Sequence, residues 1–167
     1  MEMRRHVCRT LHDDHAATIA LLERLEALLG RQNERRPPAA GDATVARLMK
    51  DLILTVESEI GSHFAFEQEF VFPILAEAGD REMTALLADE HGSILPLAQR
   101  LVELAKLGRD AGFAAEAWSE FHRTGAELIE RLVSHIQKEE MGLLPPLDDL
   151  LDESTDAALG LELAARR

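Results

Sequence analysis

The sequence predicts an all-α protein, an up-down-up-down antiparallel bundle of four helices followed by a short C-terminal helix. Three observations predict it. Tyrosine is absent and tryptophan occurs once, Val, Ile and Thr are sparse, and Ala, Leu, Glu and Arg dominate, a composition that favours helix over strand almost everywhere. Gly and Pro breakers divide the chain into four long segments whose apolar residues recur at helical spacing. The connections between the segments are short, apart from the stretch Arg31 to Gly41, as an antiparallel bundle requires. With 167 residues, 46% of them hydrophobic and 29% charged, the chain has material for one core, and domains commonly run to roughly 100–150 residues. The expected division is an N-terminal arm over 1–10, the bundle over 11–147, and an acidic tail with the short helix over 148–167.

The first helix is expected from about Leu11 to Leu29, on the stripe Leu11, Thr18, Leu22, Leu25 and Leu29. Gly30 and the polar run through Pro37, Pro38 and Gly41 should stop it. A second helix starts after an Asp42 cap and carries Val45, Leu48, Met49, Leu52, Ile53, Val56 and Ile60 towards Pro73, with Gly79-Asp80 as the turn. Leu87, Ile94, Ala98, Leu101 and Ala105 place a third over Arg81 to Leu107, ending at Gly108 and kinked at Pro96. The fourth runs from about Phe113 to Met141, with Trp118, Phe121, Leu128 and Leu132 on one side, before Pro145-Pro146. The terminal helix is expected over Thr155 to Ala165.

Eighteen basic residues against 31 acidic ones give a net charge of −13. Nucleic acid is therefore excluded as an expected partner, because binding a polyanion needs a basic face that displaces counterions. An anionic membrane surface is disfavoured for the same reason. No run of about 18 apolar residues occurs, and the single Cys8 forms no intramolecular disulfide, so a soluble, cytoplasmic protein is expected. The acidic tail reads as a solvated segment.

The chemistry lies in an internal repeat. Ser62-His63-Phe64-Ala65-Phe66-Glu67, followed by Val71-Phe72-Pro73, matches Ser134-His135-Ile136-Gln137-Lys138-Glu139, followed by Leu143-Leu144-Pro145. Leu11-His12-Asp13-Asp14-His15 matches Leu87-Ala88-Asp89-Glu90-His91. His15, His63, His91 and His135 each continue the apolar stripe of their helix, so all four face the core. Glu67 and Glu139 lie one turn beyond His63 and His135 on the same faces. In an up-down-up-down bundle the starts of helices one and three and the ends of helices two and four share one end, so the six groups converge.

A lone core histidine is usually just hydrogen-bonded, and a lone inward glutamate often reaches out to water. Four imidazoles and two carboxylates at one level are costly to bury without a cation. Imidazole nitrogen with carboxylate oxygen suits Fe, Mn or Zn. Six donors are too many for one ion and fit two, with Glu67 and Glu139 bridging and two histidines on each ion. A ferritin-like site would show Glu-x-x-His, but Ile60 and Leu132 stand three residues before His63 and His135.

On these residues the chain resembles the hemerythrin-like (HHE cation-binding) family from about His12 to Leu147. The features that carry the resemblance are Asp14-His15, His63-x3-Glu67 with its Phe-Pro, Glu90-His91, and His135-x3-Glu139-Glu140 with its Leu-Pro. The resemblance implies a non-haem, carboxylate-bridged pair of iron ions, with Zn or Mn as possible substitutes, on His15, His63, Glu67, His91, His135 and Glu139. The chain differs from the oxygen-carrying members at Leu95, where they have a further histidine, and at His135-x3-Glu139, where they have His-x4-Asp. Its four-His, two-Glu set is more similar to the di-iron proteins of nitric oxide stress and iron–sulfur cluster repair.

The function implied is a protein that binds or reacts with O2, NO or peroxide. The alternative is an iron- or oxygen-responsive sensor or interaction module without turnover, with a protein partner or homodimer. An enzyme of this kind would be a di-iron oxidoreductase; the residues leave enzyme and sensor open. A purely structural zinc site needs four closed ligands and fits six donors poorly. His12 is expected at the exposed start of helix one, His122 too far along helix four to reach the site, Glu69 and Glu140 solvated or just behind the ligands, and Cys8 a bland thiol.

Overall fold

The computed structural model describes residues 3–166, and all secondary structure among them is helical. Five helices follow one another: α1 over His6–Arg31, α2 over 43–77, α3 over Arg81–Ala111, α4 over 115–150 and α5 over Glu153–Ala165. Each of the first three packs on the next, α1 closes the ring against α4, and α5 lies against α1. None of the helices is long and apolar enough to cross a membrane.

The helices run further than their sequence signals suggest, and each extension has a local cause. α1 begins five residues earlier than its apolar stripe does, because its first turn is capped from the other end of the chain. The Asp148 carboxylate accepts from the backbone N–H of Arg5 at 2.7 Å and of Arg4 at 3.2 Å. Asp156 of α5 accepts from the N–H of His6 at 2.8 Å and Val7 at 2.9 Å. These are N–H groups that a helix start leaves unsatisfied. The acidic tail is thus not simply solvated, since two of its carboxylates hold α1. Burial pushes the Asp148 carboxyl up, but the backbone N–H groups of Arg5 and Arg4 and the Arg4 guanidinium outweigh it and hold it below its ordinary 3.8.

α2 and α4 both continue through prolines. In α2 a π turn over Glu67–Val71 precedes Pro73, and in α4 a π turn over Glu139–Leu143 precedes Pro145 and Pro146. A proline inside a regular α-helix removes one hydrogen bond and strikes the carbonyl four residues back. The extra residue of a π turn shifts that register, and Phe72 and Leu144 donate five residues back, to the carbonyls of Glu67 and Glu139. Another π turn spans Val56–Ile60.

α3 runs through Gly108 to Ala111 and stops at Gly112, whose φ of +75° suits glycine. Gly108 serves packing instead: a Cβ there would lie 2.2 Å from the Phe113 ring. Phe113 packs with Trp118 and Phe121, at ring centroid distances of 5.2 and 5.1 Å. Trp118 donates through its indole N–H to the Asn33 carbonyl at 2.9 Å, and the Glu34 carboxylate accepts from Ser119 and Arg123, each at 2.9 Å. The long α1–α2 connection is therefore tied to the start of α4.

The buried apolar residues form two clusters. One, from Leu21 and Leu22 through Leu101 to Leu132 and Ile136, fills the end near the α1–α2 connection. The other joins Val7, Leu11, Phe66, Phe72, Leu87 and Leu143 to Leu159 and Leu163 of α5. His15, His63, His91 and His135 lie in sequence where each helix passes from one cluster to the other.

Asp148→Ala is expected to cost about 1–2 kcal/mol of stability through the lost cap of α1, measured by urea denaturation, with the exposed Asp149→Ala as a near-neutral control. Because the folded carboxyl lies below 3.8, the contribution is intact above that pH and is lost as the pH falls through the folded value. Gly108→Ala should destabilise by about 1–3 kcal/mol through overpacking against Phe113.

Candidate metal centre

The structure brings all six candidate ligands together, and it sorts their donor atoms into two groups. His15, His63, Glu67 and Glu139 form one, and His91, His135, Glu67 and Glu139 the other, with the donors of each within 4.8 Å of one another. Both glutamates belong to both groups, one oxygen to each. Glu67 Oε1 lies 3.1 Å from His63 Nε2, and its Oε2 lies 3.3 Å from His91 Nε2. Glu139 Oε2 lies 3.1 Å from His15 Nε2, and its Oε1 lies 2.9 Å from His135 Nε2 and 3.7 Å from His91 Nε2. Between histidines, Nε2 of His15 faces Nε2 of His63 at 3.1 Å, and Nε2 of His91 faces Nε2 of His135 at 3.0 Å.

These separations suit a metal. Ligands about 2.1 Å from one ion and at right angles to each other stand about 3.0 Å apart. The four carboxylate oxygens are buried and accept no hydrogen bond among the described residues, although buried acceptors are nearly always paired. Facing imidazole nitrogens are satisfied either when one carries the proton and donates to the other or, with both protons on Nδ1, by a cation between them. Burial opposes charge on His15, but Glu139 and Glu140 outweigh it and raise its pKa to about 9. Burial likewise opposes charge on His63, yet the Glu67 charge and the Asp14 carboxylate raise it to about 10. Burial would push Glu139 up, but His135, His15 and His91 hold it well below the ordinary carboxylate range. The local field favours positive charge.

Carboxylates also hold the outward faces of the rings. Glu140 sits 2.6 Å from His15 Nδ1 and 2.8 Å from His12 Nδ1, so it links a candidate ligand to an exposed histidine. Glu90 lies 2.8 Å from His135 Nδ1 and accepts from Lys138 Nζ at 2.7 Å. Asp14 Oδ2 lies 3.6 Å from His63 Nδ1. Such partners fix the tautomer, so that Nδ1 carries the proton and Nε2 is left to bind. Among the described residues no hydrogen-bond partner meets Nδ1 of His91, whose ring stacks on Phe64 at 3.7 Å and on Phe72 at 5.4 Å. Asp14 and Glu90 stand in the repeated motif without an assigned role in the sequence; the signal for them was an acid directly before His15 and before His91, each serving the histidine of a neighbouring helix.

The remaining candidates lie elsewhere. His122 hydrogen-bonds the Leu29 carbonyl at 3.0 Å. Glu69 pairs with Arg166. Cys8 is buried, and burial with the charges of Asp148 and Asp156 pushes its thiol up to about 12, which leaves it unreactive.

The model of the hemerythrin HHE cation binding domain matches residues 6–147. The chain belongs to that hemerythrin family. Membership implies metal binding, and the His and Glu groups of this hemerythrin-family chain are where a metal could be held. The match spans α1 and most of α4 but leaves α5 outside it. No curated protein matches the chain.

Removing either partner of the outward nitrogens should weaken metal binding without unfolding the chain. Glu90→Ala and Glu140→Ala are each expected to lower metal affinity about 10- to 100-fold, read by competition with a chromophoric chelator. Glu69→Ala should leave it unchanged.

Proposed function

We propose that this hemerythrin-family chain is a non-haem di-iron protein that binds or reacts with O2, NO or peroxide. The observation that carries the reading is the sharing of both buried carboxylates between two four-donor groups. His15 and His63 would hold one iron, His91 and His135 the other, with Glu67 and Glu139 bridging; zinc or manganese would fit the same donors. The reading includes an alternating up-and-down course of α1 to α4, which puts the starts of α1 and α3 beside the distal parts of α2 and α4.

When bound, a pair of iron ions supplies two adjacent redox-active centres that can reduce O2 or peroxide or take up NO. The chain's own residues prepare the place. Glu140, Glu90 and Asp14 orient imidazoles from behind. The two apolar clusters border the buried donors on either side. Leu95 packs against the larger cluster and offers no donor, so the ligand set stops at four histidines and two glutamates. Such a set leaves coordination positions for an external ligand at both ions, which favours chemistry using both metals over reversible attachment at one.

Purified protein should hold about two iron ions per chain; His63→Ala or His135→Ala should lose at least one, and His122→Ala none, by metal analysis. Chelation of verified completeness should lower Tm, because an ion bound only by the folded state stabilises it; an unchanged Tm would contradict metal holding the polar layer. Anaerobic reduced protein should change its absorption on adding NO and should oxidise rapidly in O2. A stable oxygenated species that gives up O2 under vacuum would overturn the reactivity, and Leu95→His should move the protein towards one.

A further inference from the structure

The two donor groups share their carboxylates but not their surroundings. A partly open cavity of about 320 Å³ reaches His15, His63 and Glu139, and neither His91 nor His135 lines it. At roughly 30 Å³ per water, it has room for on the order of ten water molecules. Asp14, Thr18, Ser58 and Ser62 are among its lining residues, which makes that wall polar enough to admit water and a hydrated cation. The chain's net charge of −13 draws cations towards such an opening.

The other group is closed. Phe64 lies parallel to the His91 ring, at 7° and 3.7 Å, and meets His135 edge-on at 5.5 Å, while Phe72 covers His91 at 5.4 Å. Both phenylalanines are buried. The ligand side chains differ in the same sense: His63 is 11% exposed, against 3% for His91 and 0% for His135. His135 is also fixed through Glu90 to Lys138. Releasing an ion from the His91 and His135 group requires an aromatic ring to move within a packed interior, whereas beside His63 there is space for incoming water or chelator.

We propose that the cavity is the port through which the ion at His15 and His63 exchanges with solution, so that the two positions are inequivalent. The His15 and His63 position empties first, and the ion between His91 and His135 is retained. This rests on the reading that the six residues hold two ions. Full-length protein is loaded anaerobically with Fe(II), its metal is counted, and excess 2,2′-bipyridine is added while the coloured Fe(II) complex is followed. Release in two phases of one ion each is expected, with rates at least about tenfold apart. Thr18→Leu, and separately Ser58→Leu, should narrow the port and slow the first phase severalfold while leaving the second unchanged. Phe72→Leu should speed only the second. Two ions leaving together in one phase, or port variants that alter neither phase or both alike, would overturn this proposal and leave the two-ion reading standing. Loaded protein with fewer than two ions per chain would overturn that reading and this proposal with it.

Discussion

Burial of Glu67 and Glu139 among four imidazoles is the constraint around which the rest of the chain is arranged. Both side chains are at most 1% exposed, and an unpaired ionised carboxylate in such surroundings costs several kcal/mol. Each offers one oxygen to each pair of histidines, so positive charge at either group relieves both acids. The polar layer stands between two apolar clusters, and the bundle therefore has two half-cores with a charged seam. A fold of this kind tolerates the seam when cations fill it and when the helices carrying it are held in register from outside.

The holding devices lie at both ends of the bundle and at the seam. At one end, Asp148 and Asp156 cap the start of α1 with side chains from the far end of the sequence. At the other, Trp118 and Glu34 join the α1–α2 connection to α4. At the seam, a π turn begins at each of Glu67 and Glu139, and its backbone carbonyl accepts the wide-turn hydrogen bond. A locally wider helix is a recurrent feature of functional sites, and here it also allows α2 and α4 to continue through Pro73 and Pro145 into the smaller cluster. Carboxylates behind His15, His63 and His135 then set the direction of the rings.

Much of this was legible in the sequence because it depends on periodicity. Placing His15, His63, His91 and His135 on apolar stripes, and Glu67 and Glu139 one turn beyond two of them, needs only the helical repeat, and the duplicated spacing supports it. What escaped depends on contacts between residues far apart. No local pattern shows that Asp148 caps a helix starting at His6, so α1 looked shorter and the tail looked solvated. Gly108 reads as a stop, but it is a gap for the Phe113 ring. Pro73 and Pro145 read as ends because the π turns before them have no simple signature. Glu140 reads in the sequence as either solvated or just behind the ligands, and its contact with both His12 and His15 emerges only when α1 and α4 are side by side.

The central claim is that Glu67 and Glu139 join two metal ions into one unit. It is tested most directly by combining iron analysis with electron paramagnetic resonance on the oxidised, iron-loaded protein. Two irons bridged by shared carboxylates are expected to couple magnetically, so the account predicts about two irons per chain and little or no signal from isolated ferric ions. A strong isolated high-spin ferric signal whose integrated intensity matches the total iron would show that the ions do not share the two glutamates, and would contradict it.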